Sequence, residues 1–179
     1  MQPNPPRTNA DRTEATQATL IAAARRLFVD KGYADTGTPE IVAAAGVTRG
    51  ALYHHFADKQ ALFVAVFEAV EEDLAARAAR EITARTALDQ LREGLHALLD
   101  ASQDGEVRRI LLLDGPAVLG WDGWRAIERR YGLGTITHVL HLGIDDGSIA
   151  VADPEAMAHL LLAVVAEAAL YVAHAEHPS

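Results

Sequence analysis

The 179-residue chain has no cysteine, which excludes a disulfide framework, thiolate metal ligands and cysteine nucleophiles. Aromatic residues are scarce, at 6%, although half of the chain is hydrophobic. With alanine abundant, that balance disfavours a β-sandwich and favours helices. Long apolar runs are short of the mark too: the longest, residues 160–166, is bounded by His159 and Glu167 and falls far below the ~20 residues that cross a bilayer. The opening Met1-Gln2-Pro3-Asn4-Pro5-Pro6-Arg7 lacks the apolar segment of a secretion signal. A soluble cytoplasmic protein without membrane association is therefore expected. Catalytic patterns are missing as well, with no GxSxG, P-loop or HExxH, and Gly132-Leu133-Gly134 lacks the later glycine and preceding strand of a dinucleotide fingerprint. Neither an enzyme nor a cofactor is expected.

What is present divides unevenly. The net charge is −9, yet residues 1–60 hold seven Lys/Arg against six Asp/Glu, whereas residues 61–179 hold nine against nineteen. A chain of this length makes one domain, or a small one joined to a larger one, and the charge asymmetry favours the second arrangement.

Local signals place the helices. Asp11 and Glu14 have capping-box spacing ahead of Leu20, Ala24, Leu27 and Phe28, and Gly32 closes that first helix. Thr38 with Pro39 opens a short second helix that Gly46 ends, and Thr48 opens a third. Two short helices joined by a glycine turn make a helix-turn-helix. Asp58 caps a fourth helix to about residue 82, whose stripe is Leu62, Phe63, Val66, Val70 and Leu74, with Glu71, Glu72 and Asp73 facing water. A fifth begins near Thr86. Beyond it, Gly115, Gly120, Gly123, Gly132 and Gly134 read as punctuation between shorter helical pieces. The last two helices cover about 135–144 and 154–175, the latter capped by Asp153 and apolar on more than one face, which suits a twofold dimer interface.

The stretch from Thr36 to Phe63, including Leu52, Tyr53, His55, Phe56 and Lys59 at their spacing, resembles the DNA-binding domain of the TetR family of transcriptional repressors. The likeness runs over about residues 14–74 and departs from the family at Gly37, where a small hydroxyl residue is frequent, and at Val42, where alanine is usual. It implies an all-α fold: an arm at 1–12, a helix-turn-helix domain at 13–58 with the fourth helix's start to about 74, and an effector-binding and dimerisation domain at 59–179. The start of the second motif helix would enter the major groove, where Arg49 can donate two hydrogen bonds to guanine. Gly50 lets backbone approach DNA. Thr38 and Thr48 sit at helix starts, which favour phosphate oxygens, and Tyr53, His54, His55 and Lys59 complete the expected phosphate contacts. Arg7 and Arg12 could follow the minor groove from the arm.

By the same resemblance, residues 88–131 would surround a cavity for a small organic effector. Trp121, Trp124 and Tyr131, with polar tips from His96, Asp114 or Arg125, are its expected lining. His138 and His141 have the spacing of a metal pair, but two ligands are too few for a tight site, and no metal is expected. The expected partners are thus a palindromic DNA operator, an apolar or aromatic effector and a second copy of the chain, met through the last two helices in a four-helix interface. A helical small-molecule binder that keeps the motif without using it is the alternative.

Overall fold

The computed structural model describes residues 9–174, and the chain divides into two compact units, one up to Val66 and one from Phe67 onward. The elements are α1 (Asn9–Asp35), α2 (Thr38–Ala45), α3 (Arg49–His55), α4 (Lys59–Glu81), α5 (Ala87–Ala101), a π-helical segment (Val107–Asp114), α6 (Gly115–Asp145) and α7 (Pro154–His174). The described residues contain no strand, so the all-α expectation holds.

In the first unit the stripe Leu20, Ala24 and Phe28 of α1 meets Ile41, Leu52, Phe56, Leu62 and Phe63, all buried. The rings of Phe28, Tyr33 and Phe63 pack with centroids 5.1–5.6 Å apart, a spacing at which aromatic pairs add to simple burial. α1 starts at Asn9, earlier than Asp11 and inside the stretch expected to be an arm. Arg7 lies outside the described residues, and Arg12 is exposed on the helix. Gly32, at φ 82°, interrupts α1 where the glycine stop is expected.

One expected cap is corrected. Gly37, with extended φ/ψ, is the residue preceding α2, and its carbonyl accepts from the Glu40 and Ile41 amides, so Thr38 is already helical and caps nothing. Thr48 does cap, its Oγ1 accepting from the Ala51 amide at 3.1 Å. Between them Gly46 ends α2 at φ 65°, a left-handed turn that glycine adopts without steric cost.

The second unit corrects the reading of its glycines. α6 spans 31 residues and is broken at Gly120 (φ 69°), as expected of that glycine, but not at Gly123, Gly132 or Gly134. Gly132 is a point of close approach: a Cβ there would lie 2.8 Å from Leu162 Cδ1 on α7. Gly115 sits against two rings, where a Cβ would meet Phe67 at 2.7 Å and Trp124 at 3.0 Å. Around these contacts Ile136 and Leu140 of α6 pack on Ala158 and Leu162 of α7.

α7 is long and apolar enough to cross a membrane by length and composition alone. It is two-sided, however. Ala158, Leu162, Val165, Ala166, Ala169 and Ala173 are buried in the unit, while Leu160, Val164 and Tyr171, at helical spacing, are more than 60% exposed.

Gly115→Ala forces rigid rings apart and is expected to destabilise the protein by about 1–3 kcal/mol. Gly134→Ala, in the same helix with open space around it, is expected to stabilise by about 0.5–1 kcal/mol. Urea unfolding midpoints of the two variants should move in opposite directions; a shift of the same sign in both would refute the packing role of Gly115.

Candidate nucleic-acid interface and effector cavity

The turn between α2 and α3 presents a compact polar surface. Thr48, Arg49 and Gly50 are exposed at the start of α3, followed by exposed Tyr53 and His54 and half-buried His55. The Arg49 guanidinium lies 5.5 Å from the Tyr53 ring centroid. Hydrogen bonds from Thr38 and Arg49 hold the Tyr53 hydroxyl below the usual phenol range. Thr38, having no cap to make, thus ties the start of α2 to α3. The His54 and His55 rings meet edge-on at 5.3 Å between centroids.

Lys59 occupies a different place from the outward phosphate anchor expected of it. Its ammonium donates to the Tyr33 carbonyl at 2.8 Å and the Thr36 carbonyl at 2.9 Å, and stands 4.0 Å from the Tyr33 ring centroid. Lysine has three donors and no acceptor, so two of its three protons serve the end of α1. The buried Thr36 hydroxyl closes the same turn by donating to the Gly32 carbonyl at 2.8 Å.

The second unit holds an apolar cavity of about 150 Å³ between α4, α5 and α6, lined by Leu74, Ala78, Ile82, Leu91, Leu95, Leu98, Ile136 and Val139, with Glu71, Gln90, Tyr131 and Thr135 as polar groups. A smaller lobe of about 80 Å³ shares Glu71, Leu74, Leu98 and Gly132 with it. That lobe extends toward Trp124, Glu128, the π-helical residues Val107, Leu111 and Leu112, and α7. π-helical turns recur at functional sites, and this one forms a cavity wall.

The expected effector lining is largely displaced. Tyr131 lines the larger lobe and Trp124 the smaller. Trp124 is fully enclosed, its indole N–H donating to the Leu111 carbonyl at 2.9 Å. Trp121 is 52% exposed and His96 is exposed. Neither lines a lobe, since each lies on the solvent side of its helix. Asp114 pairs with Arg109 at 3.4 Å, and Arg125 lies over both indoles while pairing with Glu128 at 2.8 Å; both are tied up outside the cavity. His138 is exposed, and His141 lies 3.4 Å from Glu155.

The residue that sequence reasoning missed is Glu71, read there as facing water. It stands four residues after buried Phe67 and three before buried Leu74, on the same helical face. That spacing was the available signal. Burial, reinforced by the nearby Glu128, pushes its carboxyl up to about 8. Burial also raises Glu128, against the opposing pull of Arg125.

A sequence profile described as bacterial regulatory proteins of the tetR family matches residues 20–66, and one described as a tetracyclin repressor-like C-terminal domain matches residues 88–179. The chain belongs to the TetR family of transcriptional regulators. A TetR-family transcriptional regulator from Pectobacterium atrosepticum shares 38% identity and a TM-score of 0.83 over 95% of this chain and 87% of its own. The transposon Tn10 TetC protein of Escherichia coli is 28% identical over 152 residues, 83% of this chain and 75% of TetC. RolR in complex with resorcinol, at 21% identity and a TM-score of 0.78 over 94% of this chain and 83% of its own, shares the fold. TetR-family regulators bind DNA operators and small-molecule effectors and act as dimers.

The buried acid of this TetR-family chain has a consequence for stability. A glutamate ordinarily loses its proton near 4.5, whereas Glu71 in the fold keeps it to about 8, so raising pH between those values favours the unfolded chain. Glu71→Gln, which cannot ionise, is expected to gain stability relative to the parent across that window, reaching a few kcal/mol at pH 8. Urea midpoints of the two proteins should converge near pH 4.5 and separate by pH 8; a constant difference would contradict the assignment.

Proposed function

We propose that this TetR-family chain is a homodimeric repressor that leaves a palindromic operator when a small organic molecule occupies the cavity of the second unit. The observation that carries the reading is the exposed Arg49–Tyr53 surface at the start of α3, held there by the Thr48 cap and the Thr38 contact. Arg49 is the base-reading residue, able to donate bidentately to guanine in the major groove. Thr38, Thr48, Gly50, Tyr53, His54 and His55 position the phosphates and fix the register. Lys59 contributes through its hold on α1. Acting on chromosomal DNA, the protein works in the cytoplasm, and it works by binding, not turnover.

Leu160, Val164 and Tyr171 supply the dimer contact, supported by their exposure along one face of α7. A twofold dimer brings two recognition helices about 34 Å apart, the repeat of adjacent major grooves. Effector binding in the α4–α5–α6 cavity acts on α4, whose first residue is Lys59, and so on that separation. By linkage, operator binding weakens effector binding by the same factor.

Selection of bound fragments from random DNA at several salt concentrations is expected to return a palindrome and a steeply negative salt slope; no enriched sequence would favour a binding protein without an operator. Arg49→Ala should cost about 1–3 kcal/mol of operator affinity and relax specificity at one position per half-site. Unchanged affinity and specificity would remove Arg49 from the reading role. Val164→Glu should yield folded monomers in sedimentation equilibrium with operator binding lost. A Val164→Glu protein that stays dimeric would move the interface off this face.

A further inference from the structure

The second unit turns an acid without a partner into its cavity. Glu71 lies where the two lobes join, and among the described residues no hydrogen bond or ion pair is made to its carboxyl. Arg125 neutralises Glu128, the other acid of the lining. No lysine, arginine or histidine lines either lobe, so carboxylic acids are the only charged side chains of the lining. α5, the π-helical segment and α7 bring no titratable side chain to the lining; α6 brings Glu128 and Tyr131, whose hydroxyl donates to Glu72 at 3.2 Å.

From this geometry we infer that the effector is a lipophilic cation, a molecule of about one aromatic ring carrying a protonated amine or quaternary ammonium that pairs with Glu71. The inference rests on reading the cavity as the effector site. A cavity of about 150 Å³ is the scale that admits a benzene ring, and α4, α5 and α6 supply an apolar wall for it. An anionic molecule would find no cationic side chain in the lining to pair with. A cation supplies the opposite charge that a desolvated carboxylate lacks, in surroundings where attraction is weakly screened. Because Glu71 holds its proton to about 8 when the cavity is empty, pairing with a cation at pH 7 expels that proton.

Calorimetric titration of the full-length protein with 2-phenylethylamine, 2-phenylethanol and phenylacetate tests this at pH 7. The three probes share a ring and differ in charge. The amine is expected to bind at least about tenfold more tightly than the alcohol, with phenylacetate weakest, and amine binding should release a proton, seen as heats that vary with the ionisation enthalpy of the buffer. Glu71→Gln should bring the amine and the alcohol to equal affinity, while the fold is monitored by circular dichroism. Equal binding of alcohol and amine by the parent, retention of the amine preference in Glu71→Gln, or no binding of any probe overturns the inference. Fluorescence anisotropy of the selected operator, followed in parallel, separates this from the proposed function. Amine binding without DNA release upholds the cation site and defeats the release reading; DNA release by the alcohol as readily as by the amine does the opposite.

Discussion

The Lys59 ammonium, donating into the carbonyls of Tyr33 and Thr36 where α1 ends, is the contact on which the geometry of the first unit depends. α1 is interrupted at Gly32, and an interrupted helix end leaves carbonyls that need donors. Thr36 supplies a donor to the Gly32 carbonyl and Lys59 one each to the carbonyls of Tyr33 and Thr36. The same ammonium stands over the Tyr33 ring, which packs against Phe28 and Phe63. A single cation thereby joins the end of α1 to the start of α4 around the α2–α3 pair, which has no other long helix to brace it.

The first unit was legible because its signals are local. The Thr48 cap, the Gly46 turn and the apolar spacing of Leu20, Ala24 and Phe28 act within a few residues, and each is met by the corresponding hydrogen bond, positive φ or burial. The failures there are instructive as well. Thr38 looked like a cap because it precedes a proline, yet the cap position accepts a bare Gly37 backbone and the hydroxyl goes to Tyr53. Lys59 is expected as a phosphate contact from the family resemblance and its place at the start of α4; nothing in the local sequence says that two carbonyls from residues 33 and 36 take its protons.

The second unit was less legible for a different physical reason. Glycine in a helix reads as a break when only propensity is weighed, but Gly115 and Gly132 are set by neighbours far along the chain, Phe67 and Leu162. Glu71 sits in a run of three acids, which by composition belongs to water. Only the packing of α5 and α6 on α4 turns one of the three inward, and the displacement of the expected lining away from His96, Trp121 and Arg125 has the same origin. Local chemistry identifies such residues; their direction is a property of the assembled helices.

The two tryptophans lie in opposite settings three residues apart. Trp124 is sealed against the smaller lobe, while Trp121 stands in solvent on the outer face of the same helix. Indole emission responds to the polarity around the ring, and the two ring centroids lie 5.1 Å apart, too close to emit independently, so the chain carries one coupled optical reporter whose colour and intensity respond to occupancy of the lobe.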